Sequence, residues 1–195
     1  MKTPQFLALA SIFSAAAFLA VAADAPAPAA AAPYTLSLTD VHMCCGSCVK
    51  GAAAAVSSLS GVTAVGDQAG KSIAVTAPDK ATAQKAVDAL TNKGFFGKSS
   101  DAAIKVNADT GATTAKVSSL EISDLHLCCG KCVTAVNAIV SKVDGVTGNT
   151  AKANATSFTV TGDFSPKAVM DALQKGGLTG KAGATKPEVA APKAA

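Results

Sequence analysis

Hydrophobic and polar positions change their period in the same order twice along the chain. Leu36 and Leu38 alternate with polar residues, as Leu120 and Ile122 do, which predicts a half-buried strand at the start of each of two segments. Apolar residues at helical spacing follow in both segments and end at a glycine. The full predicted order is strand, helix, strand, strand, helix, strand. The later strands are predicted at 63–68, 72–76 and 96–100 in the first segment and at 147–152, 157–161 and 178–182 in the second.

The two segments are copies of one unit. A shift of 84 positions lays His42 on His126 and the three cysteines that follow on their counterparts, and the match continues to Gly61 and Gly145. The element order is that of the split-βαβ or ferredoxin-like arrangement. We therefore expect an α+β protein of two tandem ferredoxin-like domains, each with an antiparallel sheet and two helices on one face. The predicted domains are 34–101 and 116–182, joined by a linker at 102–115.

Both ends of the chain differ in composition from the two copies. Residues 1–23 have a basic start at Lys2, a long apolar run and a small-x-small site at 20–22, which is the layout of a secretory signal peptide. The alternative is an uncleaved membrane anchor, because the run is nearly long enough to span a bilayer. We expect a secreted or periplasmic protein. An Ala/Pro linker is predicted at 24–33 and a disordered polar tail at 183–195.

Composition and charge argue against several classes of function. The chain of 195 residues has a formal net charge of +4, and its 17 lysines are scattered without a basic run or a basic-aromatic stripe. Nucleic acid is therefore not an expected partner. The sequence has no Ser-His-Asp set, no paired carboxylates in a shared motif and no glycine-rich phosphate loop. We expect a protein that is not an enzyme.

All six cysteines and both histidines lie in two short windows, 40–49 and 124–133. Cys45 and Cys48 are three positions apart at the start of a predicted helix, where backbone N–H groups favour the thiolate form of a cysteine. Cys129 and Cys132 repeat this arrangement. Thiolates bind soft metal ions, so Cu(I), Zn(II), Cd(II) and Hg(II) all suit these pairs.

The additional histidine and cysteine in each window are candidate auxiliary ligands. His42 and Cys44 are two positions apart and would share one face of an extended segment, whereas Cys45 would point to the other face. If the loop leaves strand geometry, each copy offers a Cys₃His set suited to tetrahedral zinc. If it does not, the Cys-x-x-Cys pair alone would hold a two-coordinate ion. The same alternatives apply to His126 and Cys128.

Two other interpretations of the cysteines compete with metal binding. A Cys-x-x-Cys pair is also found in thiol-disulfide redox proteins, although the predicted element order is not that of thioredoxin. An exported chain with an even number of cysteines also suggests structural disulfides. Three cysteines in each copy would leave one thiol free per copy unless the copies cross-link.

The two windows resemble the metal loop of the heavy-metal-associated (HMA) domain family, which includes copper chaperones and the periplasmic mercury-binding protein. That family carries Met-x-Cys-x-x-Cys between its first strand and first helix. Residues 43–48, Met-Cys-Cys-Gly-Ser-Cys, match this pattern, and residues 127–132 match it with Leu127 in place of the methionine. The family's methionine packs inward and is not normally a ligand. The chain departs from the family at His42, Cys44 and their counterparts.

The resemblance implies a soft-metal-binding protein that acts as a carrier, scavenger or sensor and exchanges its ion with a partner protein. It implies Cu(I) first, with Zn(II), Cd(II) or Hg(II) as alternatives, and one ion in each domain. Replacing the pair in one copy should then halve the bound metal. The expected ligands are Cys45 and Cys48 in the first domain and Cys129 and Cys132 in the second, with Cys44, Cys128, His42 and His126 as auxiliary ligands.

Overall fold

The computed structural model describes residues 32–187, and these form two βαββαβ units in sequence. The first unit consists of β1 (Tyr34–Thr39), α1 (Gly46–Val56), β2 (Thr63–Asp67), β3 (Ser72–Ala77), α2 (Lys80–Asn92) and β4 (Lys98–Ser99). The second consists of β5 (Val117–Ser123), α3 (Gly130–Val140), β6 (Val146–Asn149), β7 (Ser157–Phe164), α4 (Pro166–Lys175) and β8 (Lys181–Pro187).

Each unit forms its own four-stranded antiparallel sheet. The strand orders are β2-β3-β1-β4 and β6-β7-β5-β8, so the first strand of each copy lies between the third and the fourth. Leu38 and Ile73 pair across the first sheet and Ile122 and Phe158 pair across the second, which puts the alternating apolar residues on the buried faces. The prediction of two ferredoxin-like domains is confirmed.

The helices bury one apolar stripe each. In α1 this stripe is Cys48, Ala52 and Val56, and in α3 it is Cys132, Val136 and Val140. Val49 fits the same helical spacing of apolar residues in the sequence but is only half-buried. The second cysteine of each pair is therefore a core residue of its helix, and its sulfur is fixed by packing.

The strand at the end of the second copy differs from its prediction. It was expected at 178–182, but β8 runs over Lys181–Pro187 and so includes 183–187, which were assigned to the polar tail. The physical reason is that β8 pairs with β5 at the edge of the sheet, from Ser123↔Lys181 to Val117↔Pro187. Main-chain hydrogen bonds form such an edge strand without an apolar pattern. Residues 1–31 and 188–195, which include the predicted signal peptide, lie outside the described residues.

The linker at 102–115 is attached to helices of both domains. Ile104 is buried, and the Gln84 side chain bonds both the N–H and the C=O of Lys105 at 2.8 and 2.7 Å. Farther along, Thr113 accepts a hydrogen bond from the Lys167 N–H at 2.9 Å. These contacts connect the linker to α2 and α4, so it restricts how the domains are placed.

A reciprocal contact joins the two domains next to their cysteine loops. The C=O of Gly177 accepts hydrogen bonds from the N–H groups of His42 (3.1 Å) and Phe96 (3.3 Å), and the C=O of Gly94 accepts one from Thr179 (3.1 Å). Both glycines have positive φ, 85° at Gly94 and 78° at Gly177. A Cβ at Gly94 would overlap the backbone N of His126, and one at Gly177 would overlap that of His42. The close approach turns the two cysteine loops toward each other.

Within residues 32–187, no helix has both the length and the apolar character that crossing a bilayer requires.

Candidate metal centre

The chain leaves strand geometry directly after the first strand of each copy. Asp40 and Asp124 have φ of 61° and 58°, in the left-handed region. The loop that follows is held by the hairpin between the second and third strands, through Val41 N–H to Lys71 C=O at 2.9 Å in the first copy. In the second copy, the Asn154 N–H donates to Leu127 C=O at 2.6 Å. The loop therefore leaves strand geometry, which is what convergence of its histidine and cysteines requires.

The first cysteine of each pair is the N-cap of a helix. Cys45 and Cys129 are extended, and their carbonyls accept hydrogen bonds from the Cys48 and Cys132 N–H groups at 3.0 and 3.1 Å. Cys48 and Cys132 are 0% exposed, while the other four cysteines are half-buried. The positive ends of α1 and α3 therefore both face the sulfurs, where they favour negative charge.

The sulfurs of both domains form one cluster. All six cysteines are free thiols, and their Sγ atoms are connected by separations of 3.4 to 4.0 Å. Six of the separations cross between domains: Cys44–Cys132 (3.4 Å), Cys44–Cys129 (3.8 Å), Cys45–Cys128, Cys45–Cys129 and Cys48–Cys128 (3.6 Å each), and Cys48–Cys132. Cys48 and Cys132 lie 4.0 Å apart at its buried side. The expectation of two separate sites does not describe this arrangement, because the docked domains mix their ligands.

His42 of the first copy lies close to a cysteine of the other domain. One three-ligand group contains His42, Cys44 and Cys132, with ligand atoms within 4.8 Å of one another. The three cysteines of the first copy form a group of their own, without His42. The expected Cys₃His set of one copy is therefore replaced by a set that combines the two domains. Sequence spacing could not reveal this, since it depends on how the domains dock.

Both histidines have a buried nitrogen that the described residues do not satisfy. The Nε2 atoms of His42 and His126 have no hydrogen-bond partner there. His126 is also held by Phe95, whose ring centroid is 4.5 Å from that of the imidazole. Buried polar atoms normally have a partner, so an atom without one at the edge of a thiol cluster fits a ligand position. Burial lowers the pKa of His42, which keeps its imidazole neutral and its lone pair available.

The thiols do not ionise equally. A hydrogen bond from the Cys132 thiol lowers the pKa of Cys48 to about 2, and backbone hydrogen bonding from Cys132 lowers the pKa of Cys129 to about 6. Desolvation raises the pKa of Cys44 to about 12 and also raises that of Cys128. The Cys48 hydrogen bond raises the pKa of Cys132. Without cations, the cluster holds a few thiolates and keeps the remaining thiols protonated.

The spacing of the sulfurs fits a shared metal ion. Zinc-thiolate bonds are about 2.3 Å long, so two sulfurs on one ion lie roughly 3.7 to 4.0 Å apart in tetrahedral or trigonal geometry. The observed 3.4 to 4.0 Å is close to that range, whereas a disulfide needs about 2.05 Å. The set of soft thiolates with neutral imidazoles suits a soft or borderline ion. The six cysteines, together with His42, therefore form groups of ligand atoms that suit a metal ion.

Met43 and Leu127 are not part of this cluster of ligands. They are 5% and 4% exposed and belong to the core, and a Cβ on Gly66 of β2 would overlap the Met43 side chain. The inward packing implied by the family resemblance is observed in both copies.

Two openings reach the cluster from opposite domains. A cavity of about 780 Å³ lies beside His42 and Cys44, and one of about 330 Å³ lies beside His126 and Cys128. Gly46 and Gly130, at the helix N-termini, are exposed and have open space around them. The half-buried sulfurs are therefore close to solvent, while Cys48 and Cys132 are not.

Comparison with known proteins finds solved structures that are similar to the chain only at low sequence identity. No family model matches it, and no curated protein matches it. One similar solved structure is the apo form of the HMA domain of the copper chaperone for superoxide dismutase, with 19% identity, 51% of this chain and 100% of that chain covered, and a TM-score of 0.33. Another is the N-terminal soluble domains of Bacillus subtilis CopA, with 17% identity, 77% and 94% coverage, and a TM-score of 0.29. The ferredoxin-like fold rests on the chain's own strand order and pairing.

Proposed function

We propose that the protein binds a soft metal ion in the cluster between its domains and acts as a carrier or scavenger of that ion, without catalytic activity. The observation that carries the proposal is the continuous set of six thiol sulfurs, 3.4 to 4.0 Å apart, contributed by both domains. Soft thiolates select Cu(I) and zinc over harder ions.

Copper(I) is the ion that the ligand geometry favours. The ligands fall into groups of three, whereas a structural zinc ion is almost always held by four. Deep burial of Cys48 and Cys132 keeps water away from the ion, and the positive ends of two helices offset the charge of the thiolates. Zn(II), Cd(II) and Hg(II) are the alternative ions, and the binding experiment described below includes each of them.

We propose that the protein acts outside the cytoplasm, as the composition of residues 1–23 indicates, and that a partner exchanges metal with it. The route for exchange is the cavity beside His42 and Cys44, which has more than twice the volume of its counterpart beside His126. An incoming thiol would reach the half-buried Cys44 first.

The test is metal binding by the full chain, reduced and purified without oxygen. Cu(I), Zn(II), Cd(II) and Hg(II) are each titrated in competition with a chromophoric chelator of known affinity. We expect tight Cu(I) binding and protection of all the thiols from alkylation. A protein that holds none of the four ions, but exchanges its thiols rapidly with disulfides, would refute metal binding and support a thiol-disulfide redox role.

A further inference from the structure

The ligand atoms of the cluster form four overlapping groups of three. Within each group the atoms lie within 4.8 Å of one another. The groups are His42, Cys44 and Cys132; Cys44, Cys45 and Cys48; Cys45, Cys128 and Cys129; and Cys48, Cys128 and Cys132. Every cysteine except Cys129 belongs to two of these groups. A sulfur that belongs to two groups lies where a bridging thiolate would lie, because it could bind the ion of each group.

Resting on the proposed function, we propose that the cluster holds four Cu(I) ions as one polynuclear centre. Each three-ligand group takes one ion, five sulfurs bridge two ions each, and Cys129 and His42 are terminal ligands. Loading leaves all six cysteines as thiolates and releases to solvent the protons that the remaining thiols still carry. Four Cu(I) charges against six thiolates leave the centre with a net charge of −2, and no oxidant or reductant is consumed.

The surroundings of the cluster suit this residual negative charge. Helices α1 and α3 both begin at the cluster, with Cys45 and Cys129 as their N-caps, so the positive ends of both helices face it. Three lysines, Lys71, Lys98 and Lys175, outnumber the two carboxylates, Asp40 and Asp171, that line the cavity beside His42 and Cys44. Of these, Lys98 also pairs with Asp40 at 3.0 Å.

Mononuclear alternatives leave ligands unused. One ion in each Cys-x-x-Cys pair would not involve Cys44, Cys128 or the orphaned Nε2 of His42, although the first two sulfurs lie 3.6 Å from Cys48. It would also place two ions at sites whose sulfurs are only 3.6 Å apart, as Cys45 and Cys129 are. At such separations, bridging is the arrangement that satisfies every sulfur.

The decisive experiment is a Cu(I) titration of the reduced full chain under nitrogen, with copper supplied as its acetonitrile complex and followed by native mass spectrometry. We expect the metal-free and four-copper species to dominate throughout, with few intermediates, and orange luminescence from a solvent-shielded copper-thiolate cluster. Saturation at two ions, with a one-copper species at half loading, would overturn the four-ion centre but leave metal binding intact. Absence of copper binding would overturn both.

A matched pair of variants tests the bridging pattern. Cys128→Ser removes a sulfur shared by two groups, whereas Cys129→Ser removes one that belongs to a single group. We expect about two ions in the first variant and about three in the second, with Ser47→Ala as an exposed control in the same loop that keeps four. Circular dichroism of the metal-free proteins establishes that they fold. Equal losses in the two folded cysteine variants would contradict the assignment.

Discussion

The cysteine loops of the two domains carry the same three cysteines and one histidine, but the side chains around the two histidines differ. His126 lies against the ring of Phe95, and the cavity beside it is about 330 Å³. The residue equivalent to Phe95 in the second domain is Leu178, and the cavity beside His42 is about 780 Å³. The cavity on the first-domain side of the cluster is thus more than twice as large as the one on the second-domain side. A duplicated ligand set has acquired a large cavity at one end and an aromatic wall at the other.

The largest effect is expected from removing both pair cysteines of one domain. Cys45→Ser with Cys48→Ser, or Cys129→Ser with Cys132→Ser, removes sulfurs that the other domain also uses. We expect either double variant to lose more than half of the bound metal, as measured by elemental analysis of the anaerobic protein. Retention of half by both variants would instead support two independent sites.

The next largest effect is expected from the glycines that hold the domains together. Gly94→Ala and Gly177→Ala each place a Cβ at a positive φ and against the backbone of the other domain. We expect each to lower the free energy of unfolding by about 1 to 3 kcal/mol and to weaken metal binding without touching a ligand.

Denaturant unfolding and metal titration measure these two effects. Gly46→Ala is the matched control, because a Cβ there meets nothing within 4 Å. If Gly94→Ala and Gly177→Ala bind metal as tightly as this control, docking through these glycines is not needed for the site. A difference between the two variants would show which side of the contact matters more.

The contact at these glycines also marks the limit of what the sequence could predict. The repeat, the element order and the ligand residues are local patterns, so the sequence predicted them. Domain docking depends on hydrogen bonds between distant residues, such as His42 N–H to Gly177 C=O, and on a linker held by Gln84. One signal was available: Gly-Phe-Phe-Gly-Lys at 94–98 recurs as Gly-Leu-Thr-Gly-Lys at 177–181, although neither segment belongs to a cysteine loop. The polar strand β8 lacked even such a pattern.

A smaller effect is expected from making the wall beside His126 more like the wall beside His42. Phe95→Leu removes the ring that packs 4.5 Å from the His126 imidazole and gives the residue found at Leu178. We expect a loss of about 1 to 1.5 kcal/mol of stability, since Phe95 is buried, and several-fold faster metal release to a chelator. Stopped-flow measurement of release tests this. Val65→Leu, at an exposed apolar residue, is the control. Unchanged release would mean that Phe95 only fills space.

The smallest expected effect needs no substitution: two thiols of the unchanged protein should differ in their reactivity. The pKa of Cys129 is lowered to about 6 by backbone hydrogen bonding from Cys132, whereas desolvation raises that of Cys44 to about 12. A lowered pKa means that the thiolate is present above pH 6, and a raised one means that the thiol persists to high pH. In the metal-free protein, alkylation of Cys129 should rise through about pH 6 and level off above about pH 7, while Cys44 remains slow at pH 8. Peptide mapping after brief treatment with iodoacetamide resolves the two sites. Parallel pH profiles at Cys129 and Cys44 would contradict the difference in pKa between these two thiols.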